Sequence, residues 1–138
     1  MILMWVFKKN KQKNAIRRVL KKYGVPEQTI RYWIAVSAFE TRFMNKFWNS
    51  PVFKLSNNLF NLIVPGSNRL NVGEGQTIFA NIDDSVEALY SKVIKPFKYS
   101  LSYPSLSALV SDMKSKGFYT GNESDYQNGA AQVYSKLF

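Results

Sequence analysis

Cysteine and histidine are both missing from the 138 residues. Without cysteine, no disulfide staples the chain and the redox compartment stays open. Without either residue, the usual zinc, haem and Cys-His chemistries are excluded, which leaves only carboxylates as metal ligands. A metal-dependent hydrolase is therefore not expected, and no cofactor is implied. Acids are scarce too: nine, against 19 lysines and arginines, for a formal charge of +10. Long apolar runs are absent. The stretch 1–7 is apolar but too short to span a bilayer. It also lacks signal-peptide order, because the basic residues follow it. The expectation is a chain without a transmembrane segment or a leader of its own: a released fragment, a leaderless protein or a component of a larger particle such as a phage virion.

What is present suits one domain spanning 1–138, long enough for a single core without staples. An apolar fraction of 46% with 15% aromatics excludes a disordered chain. The positive field steers the protein towards polyanions: nucleic acid, anionic lipid, or wall polymers carrying carboxylates and phosphates. Lys8, Lys9, Lys11, Lys13, Arg17, Arg18, Lys21 and Lys22 all precede the first acid, Glu27. This run reads as a solvated helix face, as a surface adhering to an anionic layer such as the cell wall, or, third, as a helix binding nucleic acid without sequence preference. Specific nucleic-acid binding is not expected, since no helix-turn-helix or RNA-binding signature accompanies the charge.

Periodicity places a basic helix over about 8–23, with Ile16, Val19, Leu20 and Tyr23 as its apolar stripe. Gly24 closes it, and Pro26 opens a second helix over 27–43 that is apolar on most sides and so buried. Residues 45–54 read as irregular and aromatic-rich. Short strands are expected over 59–64 and 76–82, separated by Pro65-Gly66-Ser67-Asn68 and Gly73-Glu74-Gly75. Asp84 with Glu87 reads as a capping box opening a helix over 86–94. Ser105 opens another that closes at Gly117, and the last covers 125–137. The expected class is mainly α with a small β-lobe (α+β).

Most of the nine acids have simple structural explanations. Glu27, Asp84 and Glu87 suit helix N-termini, and Asp112 falls on a polar helix face. Glu40 differs. It closes its helix at the wrong end for the macrodipole, amid Val36, Phe39 and Phe43. Desolvation and the negative helix end should raise its pKa, the perturbation a glycosidase needs in its proton donor. The alternative is a surface Glu paired with Arg42 or Lys46. Glu74 is the leading second carboxylate, with Asp83 the fallback; its alternative is a polar turn flanked by glycines. Trp48, in the irregular segment after Glu40, is the best aromatic platform for a substrate, while the helical aromatics belong to the core.

Glu40-Thr41, then Ser56-Asn57-Asn58-Leu59-Phe60, then Gly117-Phe118-Tyr119-Thr120 with Asp125-Tyr126, run in an order that resembles the glucosaminidase family of peptidoglycan hydrolases. In that family the motifs are roughly Glu-Thr-Gly, Asn-Asn-Leu-Phe-Gly-Ile and Gly-Tyr-Ala-Thr-Asp-Pro-x-Tyr. The resemblance covers about 28–138 and implies a lysozyme-like fold. It implies Glu40 as catalytic acid, Asn57 and Asn58 shaping the base of the cleft with Phe60 beside them, and Tyr126 or Tyr119 lining it near the reacting sugar. Family members place a mobile acid across the cleft, matched by Glu74. The chain departs from the pattern in several places: two extra residues fall between Thr120 and Asp125, the Asp-Pro pair is missing, and two glycines are replaced. Arg42 and Asn61 replace glycines, and a guanidinium reaching Glu40 would hold it ionised.

The resemblance implies hydrolysis of the β-1,4 bond between N-acetylglucosamine and N-acetylmuramic acid, at the cell envelope or in a phage virion. Glycan strands and the anionic wall would be the partners, together with other virion proteins. Two alternatives stand beside it: a lysozyme-like virion structural or wall-binding protein without activity, and a muramidase or lytic transglycosylase.

Overall fold

The computed structural model describes the backbone from Ile2 to Phe138 and the side chains from residue 10 onwards; Met1, and with it the side chains of the 1–7 stretch and of Lys8 and Lys9, lies outside the described residues. The described chain is mostly helical. Six α-helices follow one another: α1 (Ile2–Lys22), α2 (Glu27–Glu40), α3 (Pro51–Ser56), α4 (Ile82–Ala88), α5 (Leu106–Ser115) and α6 (Glu123–Leu137). A π-helical turn, Leu89–Ile94, prolongs α4.

α2 is the central element. Nine of its fourteen residues are buried, among them Ile30, Trp33, Ile34 and Val36, and it packs against α1, α5 and α6. α1 lays Ala15, Ile16, Val19 and Leu20 against this core. Its polar side does not simply face water. Arg17 pairs with Glu27, Arg18 with Asp83, and Lys22 with Glu87, so three ion pairs latch the basic helix to the start of α2 and to both ends of α4. Exposed pairs of this kind contribute little stability individually. Tyr23 adds a ring stacked on Tyr90 at 3.8 Å and a hydroxyl donated to Glu87.

Several boundaries differ from the sequence reading, each for a local reason. α2 stops at Glu40 rather than 43, because Thr41, at φ −110° and ψ 11°, leaves the helical conformation, while its hydroxyl donates to the Ser37 carbonyl. Met44 and Asn45, both at positive φ, then turn the chain between Phe43 and Lys46. α3 arises in the stretch read as irregular: Ser50 caps it by accepting from the Phe53 amide, with Pro51 at its first position. The cap of α4 is Asn81, which accepts from the Asp84 amide, and not the Asp84–Glu87 box.

The strands expected over 59–64 and 76–82 are not seen. No strand occurs among the described residues; the lobe holds only an isolated Arg69–Thr77 bridge and scattered backbone bonds, such as Thr77 N–H to Leu62 O at 2.9 Å. Side chains take the bonds a ladder would use. The Asn58 amide donates to the carbonyls of Leu62 and Thr77 and accepts from the Leu62 amide, while Thr77 Oγ1 accepts from the Val64 amide. Such local side-chain bonds compete with regular structure, and the two glycine turns cut the extended runs short.

Candidate active site

A cleft of about 630 Å³ opens between the C-terminal end of α2, the irregular lobe, the π-turn and the start of α6. Glu40 enters it as the last residue of α2. No basic side chain occupies the last turn of that helix, which leaves a partial negative charge at its end. Desolvation pushes the Glu40 carboxyl up to about 7, with a further push from the negative charge of Glu74; hydrogen bonding from Tyr126 and Asn61 pulls the other way and loses. The Tyr126 hydroxyl donates to Glu40 Oε2 at 3.3 Å. Burial, together with the neighbouring carboxyl, raises the Tyr126 phenol above its usual range, so it stays a donor.

An aromatic ladder backs this pair. Tyr126 stacks on Tyr119 with centroids 4.1 Å apart and meets Phe39 edge-on at 4.6 Å. Phe39 fits because α6 carries Gly129 opposite it: a Cβ there would lie 2.2 Å from Phe39 Cε1. A glycine within a helix is costly on its own. Here it makes room for the ring beside the acid.

Arg42 does not reach Glu40. Its guanidinium lies 4.3 Å over the Phe39 ring, and no ion pair joins it to the acid among the described residues. Asn61 also has a physical account. Its φ of +53° lies in the left-handed region, which glycine adopts freely and asparagine tolerates better than most residues. The Asn61 side chain then donates to the Glu40 backbone carbonyl at 2.8 Å, satisfying one orphan acceptor of the helix end.

Glu74 lines the same cleft from an exposed turn. Gly73 and Gly75, at φ of +62° and +76°, shape that turn. The Gln76 side chain accepts from the Glu74 amide and Arg69 donates to the Gly75 carbonyl, so the loop is tied at both ends.

Glu40, Glu74, Tyr126, Tyr119 and Phe60 thus share one cleft, while three expected substrate contacts do not. Trp48 is buried, its indole donating to Ser37 Oγ at 2.9 Å, so its ring is packing and not a platform. Asn57 ends α3 in the left-handed conformation and donates to the carbonyls of Phe79 and Ala80. Asn58 is fully buried and staples the lobe. Asp83, the fallback acid, pairs with Arg18 beside a separate pocket. The cleft also takes residues that pattern reading missed: Gln76, Val93, Phe97, Tyr99, Lys116 and Phe118. Of these, only the Gly-Phe-Tyr-Thr match pointed to Phe118; the π-turn that carries Val93 has no sequence signal.

No cluster of three acids suited to a metal ion occurs among the described residues. No helix among them is long and apolar enough to cross a membrane. The chain matches no family model, no curated protein and no solved structure.

Proposed function

We propose that this chain is a lysozyme-like peptidoglycan hydrolase that cleaves the β-1,4 bond between N-acetylglucosamine and N-acetylmuramic acid. One observation carries the reading: a carboxyl held near pKa 7 by desolvation, hydrogen-bonded to a tyrosine, in a cleft of about 630 Å³. A general acid works best when its pKa lies near the working pH. Protonated Glu40 donates to the glycosidic oxygen as the bond to the anomeric carbon breaks. Tyr126 orients the acid and stabilises the carboxylate left behind. Glu74, or the acetamido group of the substrate, supports the positive charge that develops at the anomeric centre, and a water then bonds to that carbon and gives its proton back to the Glu40 carboxylate. The choice of linkage rests on the motif resemblance, and so does the lysozyme-like fold. The chain's excess positive charge favours retention on the anionic wall and at the envelope or virion.

The inactive wall-binding alternative drew its support from Arg42 and Asn61. Arg42 rests on Phe39, and Asn61 fills a glycine-like conformation, which supports the reading of Glu40 as a working acid. Turbidity clearing of purified cell walls tests the reading: the wild type clears them and Glu40→Gln does not. Equal inertness of both proteins would refute hydrolysis. Mass spectrometry of released fragments separates the enzymatic alternatives. New reducing N-acetylglucosamine ends support the proposal; reducing N-acetylmuramic acid ends indicate a muramidase, and anhydro ends a lytic transglycosylase.

A further inference from the structure

Lys116 is the one cation among the described residues that line the cleft. It is held in place: its side chain is only 25% exposed, it pairs with Asp112 one turn back, and its ammonium lies 5.2 Å over the Tyr99 ring. The Asp112 charge is already shared, since the Tyr103 hydroxyl donates to one carboxylate oxygen and Ser115 Oγ to the other. An ammonium has three donors. Asp112 takes one, which leaves Lys116 able to bind a second anion.

The same cleft also has an apolar wall. The π-turn brings Val93 to the cleft, and the Phe97 amide bonds back to the Val93 carbonyl at 3.1 Å. Phe97 is 56% exposed and pairs with no other ring among the described residues. π-turns inside helices are frequent at functional sites. An exposed aromatic face within a cleft gives the apolar face of a pyranose ring a place to stack.

We propose that Lys116 and Phe97 form an accessory subsite for a glycan that carries a carboxylate, with Phe97 stacking on a sugar ring and Lys116 pairing with a free carboxylate of the attached peptide. The inference rests on the peptidoglycan reading of the cleft. It gives the cleft a preference that Glu40 and Glu74 cannot supply: peptide-substituted wall glycan over neutral polymers of N-acetylglucosamine.

Calorimetric titration of the uncleaving Glu40→Gln protein tests this at low salt. The ligands are a peptide-bearing wall tetrasaccharide and the neutral N-acetylglucosamine tetramer. The wall fragment should bind more tightly. Adding Lys116→Gln should weaken the wall fragment about tenfold, the scale of one charge-assisted hydrogen bond, and leave the neutral tetramer within about twofold. Lys116→Arg should keep most of the preference. Methyl esters on the peptide carboxylates should reproduce the Lys116→Gln loss with Lys116 intact, which separates lost recognition from lost folding. Phe97→Ala should weaken both ligands. A preference that survives both Lys116→Gln and esterification overturns the subsite, while binding of both glycans leaves the hydrolase reading standing. If neither glycan binds, the cleft is no glycan site and both proposals fall.

Discussion

The Tyr126 hydroxyl donates to Glu40 Oε2 at 3.3 Å, joining the start of α6 to the end of α2 across 86 residues of sequence. The bond favours the ionised carboxyl and opposes the desolvation that favours the neutral form. Tyr126→Phe should therefore raise the Glu40 pKa above its wild-type value. The ring remains stacked on Tyr119 and edge-on to Phe39, so the fold should persist. Carboxyl ¹³C chemical shifts followed through a pH titration would measure the change. A pKa that stays put or falls would show that the hydroxyl does not control the acid.

Much of this arrangement was legible in the chain because it follows from local rules. Apolar spacing put Ile30, Trp33 and Ile34 inside, and the position of Glu40 on a helix with no basic residue in its last turn foretold a perturbed acid. Ser105 as a cap was equally readable. The misses have a common origin in side chains that satisfy distant backbone groups. Nothing local says that Asn58 will bond the Thr77 carbonyl 19 residues away, or that Trp48 will turn inward to Ser37. Extended-looking segments therefore read as strands when amide side chains had taken over their hydrogen bonds. The partners of the basic helix were hidden for the same reason, since Arg18 and Asp83 lie 65 residues apart.

The raised pKa of Glu40 carries a stability consequence whose sign is fixed by linkage. In the unfolded chain Glu40 ionises around 4.5, and in the folded protein around 7. Folding is unaffected by this group below the lower value. Between the two the unfolded state gains by releasing its proton first, so stability falls as pH rises and levels off above 7. A shift of this size corresponds to a cost on the order of 3 kcal/mol, taken as a ceiling. Glu40→Gln should match the wild type at pH 4 and exceed it in urea midpoint at pH 8. Parallel stability curves across this range would mean the carboxyl is not desolvated. In wild-type hydrolysis the same ionisation should give falling turnover above about pH 7.

Asn58 and Trp48 separate support from recognition. Asn58→Ala would leave the carbonyl of Thr77 and the amide of Leu62 without their partner in a buried site, while the Leu62 carbonyl keeps its bond from the Thr77 amide. Losses of this kind cost about 1–3 kcal/mol for each unsatisfied group, so a fall in thermal midpoint of more than 10 °C is expected. Trp48→Phe should cost less, about 1–2 kcal/mol, because it removes one bond to Ser37 Oγ and part of a packed ring. Neither change should alter glycan affinity in the protein that remains folded. A weakened affinity at full stability would restore Trp48 or Asn58 to the substrate surface.

Gly129 sets two helix rules against each other. Alanine is the better helix former by about 1 kcal/mol, so Gly129→Ala on an open face of α6 would stabilise the protein. The new methyl would instead meet Phe39, whose nearest ring atom stands 2.2 Å from the Cβ position. Overpacking costs about 1–3 kcal/mol, and the clash should win, for a net loss of about 1 kcal/mol or more. The ring must swing away, disturbing the edge contact with Tyr126 and the seat of Arg42. Activity should fall further than stability does, because Tyr126 holds the acid. Replacing Phe39 with Leu as well should recover the helix-propensity gain, making the double variant more stable than Gly129→Ala alone. Thermal midpoints of the two single variants and the double variant would decide. Strict additivity would show that Phe39 and Gly129 are not coupled.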